Sequence, residues 1–380
     1  STTACGCFAG ILSYFSRKNF FSELVGDYNR IIGPLASRIN DSVALFIDNV
    51  DECFDAQREM WYSAQFALVS AVYKAVRLNP KFKIYVSIRK EAFLKFQSMT
   101  SMSLQYEGVS LVINYSKGEL RDIYDKNIRV EKSRCMIASE HQLKHPILAF
   151  LGTEQIKHSY VSELEDAFDY IYRHTLKRPR DFMEIGATIS KIPISERDPA
   201  KPQGLRILKD AINEASAKIA DSYMQEVLPH TLVDRNDIDQ LFSLIESNVI
   251  TKNDLKEICK RFNNKVNCVG AGCKSQCTGG KHVFCELYKI GLLGHVEVDP
   301  STGTKEQKFL SVGEKIFDVA PLLPESEFYL IHPVLDRAIR KQNNTYKNNI
   351  NQVNIVGYDK PWKDSRNPPI ESYKRPTVFV

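Results

Sequence analysis

The sequence predicts an α/β protein with a parallel sheet, followed by a helical region and a small domain of three helices and a hairpin. Three observations carry this. Val43-Ala44-Leu45-Phe46-Ile47 runs straight into Asp48-Asn49-Val50-Asp51-Glu52 without polar alternation, which suits a strand buried on both faces. Two more apolar runs, Phe82–Arg89 and Val109–Asn114, follow with helical patterns between them, the mark of βαβ units. From Asp234 onward, helical stripes give way to two short strands around Pro300-Ser301-Thr302-Gly303.

Taken in order, residues 8–37 read as helical, broken by Gly33-Pro34, and Asn40-Asp41 turns the chain into the first strand. Asp55 to Leu78 is predicted as a long amphipathic helix with Trp61, Leu68, Val69, Val72 and Val76 on one stripe, ended by Asn79-Pro80. Glu91–Gln97 is helical after the second strand, and Gly118–Ile128 after the third. Residues 133–190 read as helical throughout: Pro146 opens one helix, Val161–His174 forms another, and Arg178-Pro179-Arg180-Asp181 starts a third. A proline-rich stretch, 193–204, is a linker before the long helix Leu205–Leu228. Ile238, Leu241, Phe242 and Ile245 make a helical stripe, Thr251 with Asp254 caps the helix Leu255–Phe262, and Val283–Leu293 forms a third helix. Strands are expected at His295–Asp299 and Lys308–Val312. The expected domains are 1–130, 131–230 and 231–345, with a tail or packed arm at 346–380.

Composition narrows the classes. A 380-residue chain with 43% hydrophobic and 26% charged residues has an ordinary globular balance. No apolar run reaches the ~20 residues that span a bilayer, and residues 1–15 lack the basic start of a signal peptide. The expectation is a cytoplasmic protein without a membrane partner. A net charge of +5, from 51 basic and 46 acidic side chains, is too mild to imply nucleic acid without a local basic face. Nine cysteines, four of them clustered, point to metal more than to disulfides in a reducing setting.

The acids after the first strand fall where open parallel sheets bind ligands, past the carboxyl ends of the strands. There Asp48 is placed to hold Mg²⁺ through water, and Glu52 or Asp51 to polarise an attacking water. A core strand closing in a solvated acidic turn is the plain alternative. The second strand ends in Ser87 and Arg89, a polar group and a cation where a phosphate sensor would sit. Arg178 and Arg180 flank a proline at a helix start, from which an arginine can meet bound phosphates. Surface charge closing a strand, and a solvated basic helix start, are their plain alternatives.

In this order the parts resemble the bacterial P-loop ATPases of the broad AAA/STAND/KAP type, many of which belong to antiviral defence systems. The resembling segments are Leu45–Glu52 for Walker B, Lys83–Arg89 for the sensor strand, and Leu111–Tyr115 before the lid. Lys177–Phe182 matches the arginine-bearing lid helix, and Leu287–Gly294 with Tyr329–Pro333 the closing winged-helix piece. The resemblance implies a partial P-loop NTPase core with a helical lid and a C-terminal winged-helix domain. It also implies ATP and Mg²⁺ as ligands and a homo-oligomer that couples turnover to assembly or to a protein effector. The chain departs from the pattern in one respect: no G-x-x-x-x-G-K-[ST] loop occurs in it. That loop is expected upstream of Ser1, or the ATPase is degenerate; without its amides and lysine the triphosphate has no cradle.

A second constellation is Cys268-x4-Cys273-x3-Cys277-x7-Cys285, with glycines at 270, 272, 279 and 280. Four thiolates wrapped by a glycine-rich loop suit a structural Zn²⁺, with His282 able to replace one thiol. The spacing lacks a C-x2-C knuckle, and the alternative makes Cys285 a core residue of the third helix. That helix carries Lys289 against Glu286 and is otherwise mostly apolar, so the small domain reads as a packing or partner-binding module more than a DNA reader. The rival function is a non-hydrolysing scaffold whose winged-helix and zinc piece binds nucleic acid or protein.

Overall fold

The computed structural model describes residues 40–48, 58–89, 113–157, 164–227, 235–265, 283–310 and 323–343. It adds short stretches at 92–93, 109–111 and 355–358, and single positions at 38, 345, 360 and 362. The described part is a mixed α/β protein, mostly helical, with small sheets of which one is a parallel pair. The expected helices in residues 8–37, most of the helix at 91–97, Asp51, Glu52, Cys268, Cys273, Cys277 and His282 lie outside the described residues. The chain divides into two compact units: residues 1–110 with 315–320, and residues 111–314 with 321–380.

In the first unit, β1 (Val43–Ile47) is followed by α1 (Arg58–Leu78) and β2 (Phe82–Val86). β1 and β2 pair in parallel and in register, from Val43 opposite Phe82 to Ile47 opposite Val86, as a βαβ crossover requires. Asn79 shapes the turn between α1 and β2: its side chain accepts from Lys81 N–H (2.9 Å) and its carbonyl from Phe82 N–H (3.0 Å). Two expectations are corrected here. β1 is not buried on both faces, since Leu45 is 48% and Phe46 74% exposed. Nor is there a third strand at 109–114: its described residues are irregular, and Val109, Leu111 and Ile113 are exposed. Apolar side chains favour a strand, but the ladder needs a neighbour, and β1's described neighbour is β2.

In the second unit, α2 (Lys117–Val130) opens with a reciprocal capping box: Ser116 Oγ accepts from Glu119 N–H (3.2 Å) and Glu119 accepts from Ser116 N–H (2.8 Å). After α3 (Pro146–Leu151) the chain turns at Gly152, where φ is 73° and a Cβ would lie 2.8 Å from Pro199. The expected all-helical reading of 133–190 is interrupted by an antiparallel hairpin, β3 (Gln155–Lys157) and β4 (Leu164–Asp166), and β4 takes the place of the first part of the helix expected at Val161–His174. Each strand is three residues, exposed-buried-exposed, with Ile156 and Glu165 inward. A period-two pattern that short is lost in a helix-sized window.

The rest of the helical region is α4 (Ala167–Arg173), α5 (Pro179–Ser190), α6 (Ile194–Arg197) and α7 (Gly204–Val227). Asp166 caps α4 by accepting from Phe168 and Asp169 N–H groups. Arg197 is buried, and its guanidinium donates to the carbonyls of Phe150, Cys135 and Ile192, so this charge is satisfied by backbone. α8 (Arg235–Phe242), β5 (Val249–Thr251), α9 (Lys252–Lys265) and α10 (Val283–Lys289) then lead to β6 (Leu293–Val298), β7 (Lys305–Phe309), β8 (Phe328–Ile331) and α11 (Asp336–Gln342). The four strands form one antiparallel sheet in the order β5-β8-β6-β7. The expected three helices and hairpin are present, with β5 and β8 added.

One hydrophobic core runs through this unit, from Leu120 and Tyr124 through Phe168, Phe182 and Ile212 to Leu287, Leu330 and Tyr358. Tyr223 of α7 donates its hydroxyl proton to Ile290 O (3.0 Å), which ties the long helix to the sheet end of the unit.

Candidate functional site

The parallel register of β1 and β2 places their carboxyl ends side by side. Ser87 N–H donates to Ile47 O (3.0 Å), extending the ladder one step past the strands. That step brings the two polar tips together: Ser87 Oγ donates to Asp48 Oδ1. Both residues are exposed, so the carboxylate keeps access to water and to solutes while one of its oxygens is oriented. Arg89 follows on the same tip, half-buried, with its backbone N–H donating to Gln65 Oε1 (2.8 Å). Gln65 is buried in α1 and donates to Trp61 O (3.3 Å), so it fastens the segment after β2 to the crossover helix. Sequence reasoning missed Gln65. Its signal was a lone amide four residues after Trp61 on the apolar stripe, a place where a polar side chain needs a buried partner.

Arg178 and Arg180 lie in the second unit, at the start of α5. Arg178 grips Asp181 (Nε–Oδ1 3.0 Å, Nη2–Oδ1 2.9 Å), approaches Glu226 at 3.6 Å, and lies over the Tyr223 ring at 4.9 Å. Asp181 is buried and also accepts from Leu176 N–H (2.8 Å), which closes the turn before the helix. Arg180 pairs with Glu226 at 2.7 Å and is half exposed. An exposed ion pair is worth about 0–1 kcal/mol, so Arg180 can leave Glu226 for a stronger anion at little cost. Arg178, gripped by a buried carboxylate, is held in place.

Cys285 is buried within α10, among the core residues Phe284 and Leu287. Among the described residues no group of three or more His, Cys, Asp or Glu is arranged to hold a metal ion. All of Val283–Tyr288 is buried, so α10 presents no basic or amide face for a nucleic-acid groove. The two described histidines of this part, His295 and His332, are buried. His332 Nδ1 accepts from Val334 N–H (3.1 Å), and burial, aided by the charges of Lys177 and Arg173, pushes its pKa down to about 3. Burial likewise lowers His295.

No helix among the described residues is long and apolar enough to cross a membrane. Comparison of the chain with family models, with curated proteins and with solved structures finds no match.

Proposed function

We propose that this chain is the Walker B, lid and winged-helix portion of an AAA/STAND-like ATPase, working as an oligomer whose nucleotide state switches assembly or an effector. The observation that carries the reading is the hydrogen bond from Ser87 to Asp48 across the ends of two parallel strands. A carboxylate there can hold the water shell of Mg²⁺, and a neighbouring hydroxyl can report on the terminal phosphate. Glu52, four residues on, is assigned to positioning the attacking water, with Asp51 beside it. Arg89 and Arg180 are the cations assigned to the phosphates, Arg178 setting the helix start that carries Arg180. The reading also accounts for the exposure of β1, whose one neighbour among the described residues is β2, since a nucleotidase sheet continues with further strands.

In the natural full-length protein, Asp48→Ala and Glu52→Gln each abolish ATP hydrolysis, measured as phosphate release; turnover that survives both substitutions rules the reading out. The zinc assignment to Cys268, Cys273, Cys277 and Cys285 is separate. It predicts about one zinc per chain by elemental analysis, lost on changing Cys273 and Cys277 to Ser, and metal-free folded protein removes it. The scaffold alternative predicts a protein partner more than nucleic acid, because α10 is buried.

A further inference from the structure

The edge strand β7 is covered by a segment far along the chain, of which residues 355–358, 360 and 362 are described. Gln307 N–H donates to Lys360 O (3.2 Å) and Trp362 N–H to Lys305 O (2.9 Å), the spacing of an antiparallel strand laid on a sheet edge. The Gln307 side chain reads the backbone further along, donating to Ile355 O (2.7 Å) and accepting from Gly357 N–H (3.1 Å). Side chains are read as well. Tyr358 is buried among Tyr172, Phe309 and His332, with ring centroids 5.7, 5.4 and 4.9 Å away, and Lys177 Nζ lies over its ring at 4.0 Å. Trp362 packs on Phe328 at 5.0 Å. Lys360 Nζ reaches the buried Glu165 carboxylate (2.8 Å), which also binds Arg173 Nε (3.0 Å), and lies 3.5 Å from Asp169. Gly357 passes so close to Arg173 that a Cβ there would fall 2.7 Å from the Arg173 Cβ.

Backbone pairing along an edge, two aromatic anchors, one charge reader and one position restricted to glycine together make a peptide-recognition groove of the strand-addition kind. We infer that this groove docks the 355–362 segment of a second copy of the chain as well as its own, so that copies are joined by exchanged tails. Two things on the molecule favour that occupant. The groove's readers are matched by the chain's own segment, so the contacts made in trans are those already made in cis, which makes exchange cheap. Residues 344–354 connect the segment to Asn343, which is fixed by its bond to Ile245 O (2.7 Å). Eleven residues span at most roughly 35 Å at ~3.3 Å each. The inference does not rest on the nucleotide reading.

The charge reader supplies the test. Full-length chains with Lys360→Glu and with Glu165→Lys each mismatch their own tail, but each tail matches the other's groove. Mixed one to one, they are expected to give a species of twice the mass of either variant alone by light scattering. The Glu165→Lys/Lys360→Glu double variant, matched again in cis, serves as control. An unchanged mass with both variants folded by circular dichroism overturns the proposal.

Should Glu165→Lys fail to fold, a fluorescein-labelled peptide of residues 355–364 decides with the Lys360→Glu chain. It is expected to bind at least about tenfold tighter there than to wild type, where the tethered tail competes. A Gly357→Val peptide is expected to bind neither. Absence of peptide binding to the folded Lys360→Glu chain overturns the proposal. So does peptide binding without a doubled mass when both variants fold, since the groove then takes tails but not those of a second copy.

Discussion

β1 and β8 are equally apolar, VALFI against FYLI, yet they have opposite surroundings. β8 lies inside its sheet between β5 and β6, and Tyr329, Leu330 and Ile331 are buried. β1 pairs with β2, and four of its five residues are exposed. Composition brings a segment into extended form; the energy of burial comes only where another layer covers it. The polar side chains follow the same division. The open pair carries Asp48 and Ser87 on accessible tips, whereas the closed sheet carries the buried His295, with the buried His332 just past β8, and a docked tail.

The contrast can be broken most forcefully at Phe182, which is fully buried and stacked on Phe168 at 5.5 Å. Phe182→Ala is expected to cost about 3–5 kcal/mol in urea denaturation, the range for a large core aromatic. A loss under 1 kcal/mol would mean that this core is looser than its packing indicates.

A smaller effect tests His332. Its folded pKa, about 3, lies below the ~6.5 of the unfolded chain, so above pH 6.5 both states are neutral there and nothing is lost. Below 6.5 the unfolded chain takes up a proton that the folded one refuses, and stability falls with pH toward 3, by up to about 1.4 kcal/mol per pH unit. His332→Asn, which can still accept from Val334 N–H, is expected to flatten that part of the stability profile between pH 6.5 and 4. An unchanged slope would assign the acid sensitivity to other groups.

The smallest effect is expected on β1. Phe46→Ser removes a 74% exposed ring whose described ring partner is the stacked Tyr85, 4.9 Å away. The change should cost no more than about 1 kcal/mol, the range of a cross-strand pair. A larger loss would show that β1 is covered in solution.

Much of the fold was legible because the signals are local. Pro146 and Pro179 mark helix starts by backbone chemistry that needs no distant partner, and both helices begin there. The third strand at 109–114 was misread because apolarity was taken for pairing. β3 and β4 were passed over because three residues carry too little pattern. At the candidate site, Asp48 and Ser87 were legible as strand-end residues, and the register of β1 on β2 then joined them. Arg178 and Arg180 were legible as cations at a helix start, but Asp181 and Glu226, which hold them, were not. Glu226 is 46 residues from Arg180, and no spacing rule links them.

The sequence by itself determined the first strand–helix–strand unit, the polar tips of its two strands, and the basic start of α5, since each depends on neighbouring residues. Tertiary structure alone decided which apolar strand is covered, which arginine is locked and which is exchangeable, and that Lys360 and Trp362 pair with the edge of β7. Those outcomes depend on contacts between residues far apart in the chain, where burial and pairing set the energy.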